Sequence, residues 1–206
     1  MSEGIRPQWL GRLEYRWAHR LQHLRREAIV RGSAPEALWL LEHDPVVTTG
    51  RRSVEQLPEW GIPVVRTERG GLATWHGPGQ LMAYVLIDLR ARGLSVKGLV
   101  AGMEDAVMTW LASRGVKGQR RCGYPGVWVG SDKICAVGIH IRRGVSMHGL
   151  ALNLHNEMTG YTDILPCGIT DGGLTTVALQ TGESRTPQSV SEEVGAALVD
   201  ALGLRG

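Results

Sequence analysis

The hydrophobic and polar positions of the chain repeat with two different periods, which predict helices interspersed with strands. Apolar residues recur every three or four positions over residues 14–31 and 96–114, as expected for amphipathic helices. Ser95 is a suitable N-cap for the second helix, because its hydroxyl can accept a hydrogen bond from the first turn. A last helix is predicted over residues 190–203, after Pro187. In the first helix the apolar repeat consists of Trp17, Leu21, Leu24 and Ala28.

Short apolar or alternating runs predict strands in much of the rest of the chain. Residues 37–50 contain a buried strand, a break at Pro45 and a second short strand. Residues 64–66 and 81–89 are predicted strands on either side of a glycine-rich loop. Short turns join three further extended segments, which predicts an antiparallel meander over residues 126–129, 133–141 and 145–154.

This order of elements predicts an α+β fold with two layers, in which helices pack on a mixed, largely antiparallel sheet. The chain has 206 residues, a length that suits one domain with a substantial core. Neither an internal repeat nor a low-complexity linker divides it. We therefore expect a single domain over residues 1–206.

Composition narrows the class of protein. The chain is 43% hydrophobic and 21% charged, and its apolar runs are much shorter than the roughly 20 residues of a membrane span. The N-terminal segment has no uninterrupted apolar core, so we expect no secretory signal and a cytoplasmic location. A net charge of +3 favours an acidic partner. The arginines are scattered and lack an aromatic-plus-basic module, so an acidic protein is expected rather than nucleic acid.

The three cysteines show no paired spacing, and the histidines show no tight ligand pair. We therefore expect free thiols and no metal site. One of the free thiols is a candidate for chemical reactivity. The cysteines are Cys122, Cys135 and Cys167.

The glycine-rich loop, residues 69–81, reads RGGLATWHGPGQL. It does not match a phosphate-binding loop, because Pro78 lacks an N–H group and a strand rather than a helix follows. Two interpretations remain open. Its glycines either form a tight hairpin with positive φ angles, or they let a ligand lie against bare backbone. In the second case Arg69, His76 and Gln80 would supply the polar contacts.

Two residues are candidates for nucleophilic chemistry. Cys167 lies between Pro166 and Gly168, which favours a turn and an accessible thiol. Lys133 starts a predicted strand, and alternation places Cys135 on the same face. A nearby ammonium lowers the pKa of a thiol, so Lys133 could activate either Cys135 or Cys167. The alternatives are an exposed surface lysine and buried, inert thiols.

Four long segments, in order, resemble the lipoyl(octanoyl) transferases and cover most of the chain. They read LEHDPVVTTGRR, RTERGGLATWHGPGQLMAYVLIDL, GVWVGSDKICAVGIHIRRGVSMHGLALNL and YTDILPCGITDGGLTTV. The resemblance implies a fold shared with lipoate and biotin protein ligases. It also implies that Cys167 is the acyl-accepting nucleophile and that Lys133 is its partner. Cys135 departs from the family pattern, where a small apolar residue is common, and places a second thiol near Lys133.

The activity implied by this resemblance is transfer of an octanoyl or lipoyl group through a cysteine thioester. The donor would be octanoyl-acyl carrier protein. The acceptors would be lysines of lipoyl domains, in E2 subunits of 2-oxo acid dehydrogenases and in the glycine cleavage H protein. Neither ATP nor another cofactor is implied. The implied substrate-binding residues are Arg69, Gly70, Gly71, Leu72, Ala73, Thr74, Trp75, His76, Ala136, Val137, Gly138, Gly149, Leu150 and Ala151.

Three alternative functions remain open at this point. An ATP-dependent lipoate or biotin ligase on the same fold would adenylate the acid and need no cysteine. A thiol hydrolase would use Cys167 with His148 or His76. A non-enzymatic acyl-binding module would hold the ligand without a covalent adduct.

Overall fold

The computed structural model describes residues 4–52, 61–158, 161 and 172–205. Thirteen helices and strands occur in this part of the chain, and most agree with the sequence-based prediction. The N-terminal strand β1, the short strand β5 inside the glycine-rich loop and the short helix α3 were not predicted. In chain order the elements are β1 Pro7–Leu13, α1 Tyr15–Val30, β2 Ala37–His43, β3 Val46–Thr49, β4 Val64–Arg66, β5 Thr74–His76, β6 Gln80–Leu86, α2 Val96–Ala112, β7 Gly126–Val129, β8 Asp132–Arg142, β9 Val145–Asn153, α3 Val177–Thr181 and α4 Pro187–Ala201.

Six strands form the main sheet, in the order β1-β2-β6-β9-β8-β7. β1 pairs with β2 in parallel, and the other neighbours are antiparallel. The strands β4, β3 and β5 form a second, smaller sheet. The predicted class, an α+β fold with a mixed and largely antiparallel sheet, is confirmed, and the meander β7-β8-β9 follows the predicted turns.

Helices α2 and α4 cover one face of the main sheet, which we call the core face. Its side chains are aliphatic and fully buried, including Leu81, Ile134 and Leu152. The predicted apolar side of α2 packs here, and Ser95 caps this helix by accepting a hydrogen bond from the Gly98 N–H. This face supplies the main hydrophobic core of the described chain.

Helix α1 packs on the opposite face of the sheet, which we call the cavity face. The helix itself was predicted correctly, but only part of its apolar repeat packs: Leu21 contacts the buried cluster beneath the helix. Trp17 is 52% exposed and Leu24 is 57% exposed, whereas Gln22 and Arg26 are buried. Polar side chains fill this layer because they have partners there: Gln22, for example, accepts a hydrogen bond from the His148 N–H.

A β-bulge in β8 corrects one prediction about side-chain direction. Trp128 of β7 pairs with Lys133, but Val127, one residue earlier, pairs with Cys135. The extra residue on β8 is Ile134, so simple alternation fails at this point. Cys135 joins Ile134 in the buried core, whereas Lys133 lines the cavity on the other face. Lys133 and Cys135 therefore do not share a face.

No helix within the described part of the chain is long and apolar enough to cross a lipid bilayer. The predicted cytoplasmic location and the single-domain boundary stay predictions.

Candidate active site

A cavity of about 480 Å³ lies between the main sheet and the glycine-rich loop. This volume falls in the range of small-molecule sites in proteins. The cavity brings together Lys133 and residues from three separate parts of the chain. The predicted binding residues that line it are Arg69, Gly70, Gly71, Leu72, Thr74, His76, Ala136, Val137, Gly138, Gly149, Leu150 and Ala151.

Two predicted binding residues lie elsewhere. Ala73 and Trp75 pack with Val47 and Tyr161 in a separate apolar cluster. Side chains alternate along β5, so Thr74 and His76 line the cavity while Trp75 points away from it. Ala73 and Trp75 therefore hold the loop in place from the side that faces away from the cavity.

Glycine backbone forms part of the cavity wall because side chains would not fit there. A Cβ on Gly149 would lie 2.1 Å from the Ala83 carbonyl oxygen, so β9 needs a glycine to approach β6. At Gly138 an added Cβ would have more room, since its nearest neighbour would be the Arg69 Cδ at 3.3 Å. In the glycine-rich loop itself, Gly71 and Gly79 have positive φ angles of +89° and +82°, as the tight-hairpin interpretation expects. Gly70 and Gly71 also line the cavity, as the ligand interpretation expects, so both interpretations stay open.

Lys133 is 3% exposed, so its interpretation as a surface lysine is wrong. Its Nζ donates a hydrogen bond to the Pro125 carbonyl at 3.2 Å and lies 4.8 Å from the centre of the Trp128 ring. An ammonium in this position combines a cation–π contact with a single carbonyl partner. Among the described residues, Pro125 is the partner found for one of its three donors.

Cys167 lies outside the described residues. The described residues nearest to it in the chain are Tyr161 and Gly172. The Lys133 N–H donates to the Gly173 carbonyl at 2.9 Å, and the Thr175 N–H donates to the Lys133 carbonyl at 3.1 Å. Tyr161 and Lys133 line one small cavity. The described residues that follow the segment of Cys167 therefore pair with Lys133 through their backbone.

The other two thiols differ in environment. Cys135 is fully buried in the core, and burial raises the pKa of its thiol well above the ordinary value. Such a thiol stays protonated and inert, which argues against Cys135 as the partner of Lys133. Cys122 is exposed and precedes Gly123, which lines the cavity.

His76 belongs to a chain of buried hydrogen bonds. Its Nδ1–H donates to the Gln80 Oε1 at 2.7 Å, and its Nε2 accepts from the Thr48 hydroxyl at 3.2 Å. Arg69 in turn donates to that hydroxyl, and Gln80 donates to the Tyr161 hydroxyl. Burial lowers the pKa of His76 to about 3, so the ring is neutral. Both ring nitrogens are occupied, which makes His76 a group that holds the loop rather than an acid or base.

A histidine cluster also borders the cavity, and sequence analysis missed it as a unit. It consists of His19 and His23 on α1, Glu68 before the glycine-rich loop, and His148 on β9. Burial lowers the pKa of His148 to about 4. The pKa of Glu68 is also lowered, because the surrounding imidazoles outweigh the opposing effect of burial. The four-residue spacing of His19 and His23, one helical turn, was the available signal.

Several relatives of this chain are octanoyltransferases. An octanoyltransferase of Mycolicibacterium gilvum is 40% identical over 208 residues, which cover 98% of this chain and 87% of the relative. An octanoyltransferase of Mycolicibacterium smegmatis is 42% identical over 208 residues, covering 98% and 90%. One from Aromatoleum aromaticum is 49% identical over 148 residues, covering 71% and 63%.

Solved structures show the same fold at lower sequence identity. A bipartite lipoate protein ligase from Thermoplasma acidophilum has a TM-score of 0.64 and 20% identity, covering 97% of this chain and 82% of that chain. The biotin protein ligase of Aquifex aeolicus has a TM-score of 0.57 and 13% identity, covering 98% and 70%. The expected fold shared with these ligases is confirmed.

The family model described as the lipoyl protein ligase A/B catalytic domain matches residues 14–199. Together with the relatives of about 40% identity, this match identifies the class of enzyme. The chain belongs to the octanoyltransferases of the lipoyl protein ligase A/B family, acyltransferases that act in protein lipoylation.

Proposed function

We propose that the protein transfers an octanoyl group from acyl carrier protein to a lysine of a lipoyl domain, through a thioester on Cys167. The observation that carries this proposal is the position of Lys133. Its ammonium group lies in the wall of a cavity that is otherwise largely apolar side chains and glycine backbone. That arrangement suits a thioester whose acyl chain lies in the cavity and whose carbonyl reaches the lysine.

The first half of the reaction forms the acyl-enzyme. Lys133 stabilises the thiolate of Cys167, which attacks the carbonyl carbon of the octanoyl thioester. The bond between that carbon and the sulfur of the carrier breaks, and the carrier leaves as a thiol after gaining a proton. The octanoyl group is then held as a thioester on Cys167. In the transition state, positive charge and backbone N–H groups near the carbonyl stabilise the developing oxyanion.

The second half consumes the thioester. The neutral ε-amine of a lipoyl-domain lysine attacks the same carbon, and the bond to the sulfur of Cys167 breaks. The thiolate is restored, and the new amide loses a proton to solvent. Replacing a thioester by an amide is downhill, so the reaction needs no nucleotide.

The described residues that flank the segment of Cys167 along the chain support this assignment. The chain approaches the segment at Tyr161 and leaves it at Gly172, and the backbone of Lys133 pairs with the residues that follow. Cys135, the other candidate partner of Lys133, is fully buried on the core face. Cys167 is therefore the thiol that we assign as the nucleophile.

The partners follow from the same proposal and from the charge. We expect the acceptors to be lipoyl domains of E2 subunits and of the glycine cleavage H protein. The chain carries a net charge of +3, which favours acidic donors and acceptors. Docking through charge weakens as salt screens it, so transfer is expected to slow as ionic strength rises.

The test is to incubate the protein with octanoyl-acyl carrier protein and to measure its intact mass. One octanoyl group should add to the wild type and to Cys122→Ser and Cys135→Ser, but no thioester should form on Cys167→Ser. Loss of the adduct only in Cys135→Ser or only in Cys122→Ser would overturn the assignment. Adding a lipoyl domain should discharge the adduct into an amide on that domain.

The same experiment separates the alternative functions. An ATP-dependent ligase would octanoylate the lipoyl domain only with ATP and free octanoate, and Cys167→Ser would keep that activity. A thiol hydrolase would release octanoate without an acceptor. An acyl-binding module would bind octanoyl-acyl carrier protein without a change in its own mass.

A further inference from the structure

The histidine cluster of His19, His23, Glu68 and His148 has the dimensions of a metal site. The Nε2 of His19 lies 3.0 Å from the Glu68 Oε2, and the Nε2 of His148 lies 3.6 Å from the Glu68 Oε1. The ligand atoms of His19, Glu68 and His148 all lie within 4.8 Å of one another. Ligands at 2.0–2.1 Å from a tetrahedral zinc ion are about 3.3–3.4 Å apart, so little movement would be needed to bind one.

Hydrogen bonds within the cluster do not account for all of its polar atoms. His148 is 3% exposed, and its buried Nε2 has no hydrogen-bond partner among the described residues, because 3.6 Å is too long for a hydrogen bond to Glu68. A buried polar atom without a partner is costly and is rare in native proteins. A metal ion between these side chains would supply the missing partner.

The backbone holds His148 in an unusual position. Its φ angle is +61°, and its N–H donates to the Gln22 Oε1 at 2.8 Å. A non-glycine residue with positive φ inside a strand is uncommon and is retained where the surroundings determine it. This conformation directs the imidazole toward His19 and Glu68.

The fourth side chain of the cluster, His23, is better suited to orienting Glu68 than to binding a metal ion. The guanidinium of Arg26 lies 3.3 Å from the Nδ1 of His23, and a guanidinium can only donate. The Nδ1 of His23 therefore accepts, and its proton is on Nε2. That Nε2–H lies 3.1 Å from the Glu68 Oε1, where it can orient the carboxylate.

We propose that His19, Glu68 and His148 form a binding site for a divalent transition-metal ion of the zinc type, with His23 orienting Glu68. Two imidazoles and one carboxylate are a donor set that zinc prefers, and they leave a fourth position for water. The bound ion would tie α1 to β9 and to residue 68. His148 also lines the acyl cavity, so the ion would fix part of the cavity wall.

The test uses zinc chloride and cobalt chloride with tag-free, full-length protein. The background carries Cys122→Ser and Cys167→Ser, which removes an exposed thiol and the proposed nucleophile as competing ligands. Calorimetry should give one zinc ion per chain, and cobalt should give the visible absorption of a four-coordinate site. Bound metal should also raise the thermal midpoint, because it binds only the folded state.

Variants locate the ion. His19→Gln and Glu68→Gln should weaken zinc binding at least about 100-fold, and His23→Gln about 10-fold. His148→Asn should weaken zinc binding as much as His19→Gln and Glu68→Gln. Asparagine is chosen for this position because it tolerates the positive φ angle. The matched control is His155→Gln, an exposed histidine outside the cluster, which should bind zinc like the background protein.

Equal zinc binding by the background protein and by His19→Gln and Glu68→Gln would overturn the site, as would the absence of stoichiometric binding. Circular dichroism of each variant before titration separates loss of the site from loss of the fold. Because the binding measurements do not use the transfer reaction, their result is independent of the proposed function.

Discussion

The two faces of the main sheet are built on opposite physical principles, although the same strands form both. On the core face, aliphatic side chains such as Leu81 and Leu152 pack against α2 and α4 without polar partners. On the cavity face, glycine backbone, a buried lysine and several histidines border an open space. Ile134 and Lys133 are adjacent in β8, yet they belong to different faces.

This difference indicates how the fold stays stable although one face contains a cavity and buried polar groups. A cavity and buried polar groups each reduce stability, because they forgo dispersion contacts and require desolvation. The core face supplies the compensating hydrophobic burial. Substitutions of aliphatic residues on the core face should therefore change stability with little effect on chemistry, and substitution of Lys133 in the cavity should do the reverse.

The largest expected effect is on the cavity face, with Lys133→Met. Octanoyl transfer should lose about 10³-fold in kcat/KM, or roughly 4 kcal/mol of transition-state stabilisation. Methionine has a similar length and is apolar, so the free energy of unfolding should change by no more than about 1 kcal/mol. Transfer kinetics measure the loss in kcat/KM, and urea denaturation of the same preparation measures the change in the free energy of unfolding. A variant that keeps its rate, or that loses rate only because it unfolds, contradicts the division between the faces.

The next effect is on the core face, with Leu152→Ala. This side chain is fully buried, and its truncation should lower the free energy of unfolding by about 3 kcal/mol. Because Leu152 does not border the cavity, kcat/KM per folded molecule should stay within about twofold of wild type. Urea denaturation measures the loss of stability, and assays at a temperature where the variant is folded measure kcat/KM. A large rate loss in folded protein would mean that the two faces are coupled.

The pH dependence of stability should come from the cavity face. Burial lowers the pKa of His76 to about 3, whereas the unfolded chain titrates near 6.5. Between these values the unfolded state binds more protons, so stability is complete above about pH 6.5 and falls as the pH is lowered. His76 should account for about 2 kcal/mol of the loss between pH 7 and pH 5.

Urea denaturation of wild type and His76→Gln at both pH values measures this contribution. The variant should show a smaller loss of stability on acidification, whatever its stability at pH 7. Leu152→Ala is the control, since it removes no titrating group and should keep the slope of the wild type. Equal slopes for wild type and His76→Gln would contradict the assignment.

The smallest effect is expected for Gly138→Val, which probes the size of the cavity. The added side chain would extend past Arg69 toward the bound acyl chain, and kcat/KM for an octanoyl donor should fall about tenfold. A butanoyl donor needs less space and should be affected less. Gly149→Ala is the contrasting variant, because its Cβ would collide with the Ala83 carbonyl and should disrupt the sheet instead. Equal losses with both donors would contradict a role for Gly138 in setting the available length.

Much of the fold was predictable because its signals are local. The apolar face of α2, its cap at Ser95 and the short turns of the β7-β8-β9 meander depend on neighbouring residues, and all three are confirmed. β1 was missed because a single strand at the edge of the sheet, paired in parallel with a distant segment, has no turn to mark it. The packing side of α1 was also unpredictable, since its buried polar groups depend on partners far along the chain.

The residues of the candidate site could be predicted only where they lie in the family motifs. Those motifs named most of the cavity lining, from Arg69 to Ala151, and selected Lys133. They did not reveal that Trp75 points away from the cavity, or that a bulge separates Lys133 from Cys135. Thr48, Asn153 and Tyr161, which hold His76 and Gln80 in place, carry no sequence signal because each bond joins distant segments.

The extra residue at Ile134 lets one strand follow two registers. From Cys135 onward β8 pairs with β9, β7 pairs with β8 on both sides of the bulge, and Lys133 pairs with the backbone of residues 173 and 175. We therefore expect that the end of β8 that carries Lys133 can change with its short neighbours while the ladder of Gly138 and Gly149 is kept. A graft of this strand that keeps Ile134 must also keep the bulge, because regular alternation would put Lys133 on the face of Cys135, in the apolar core.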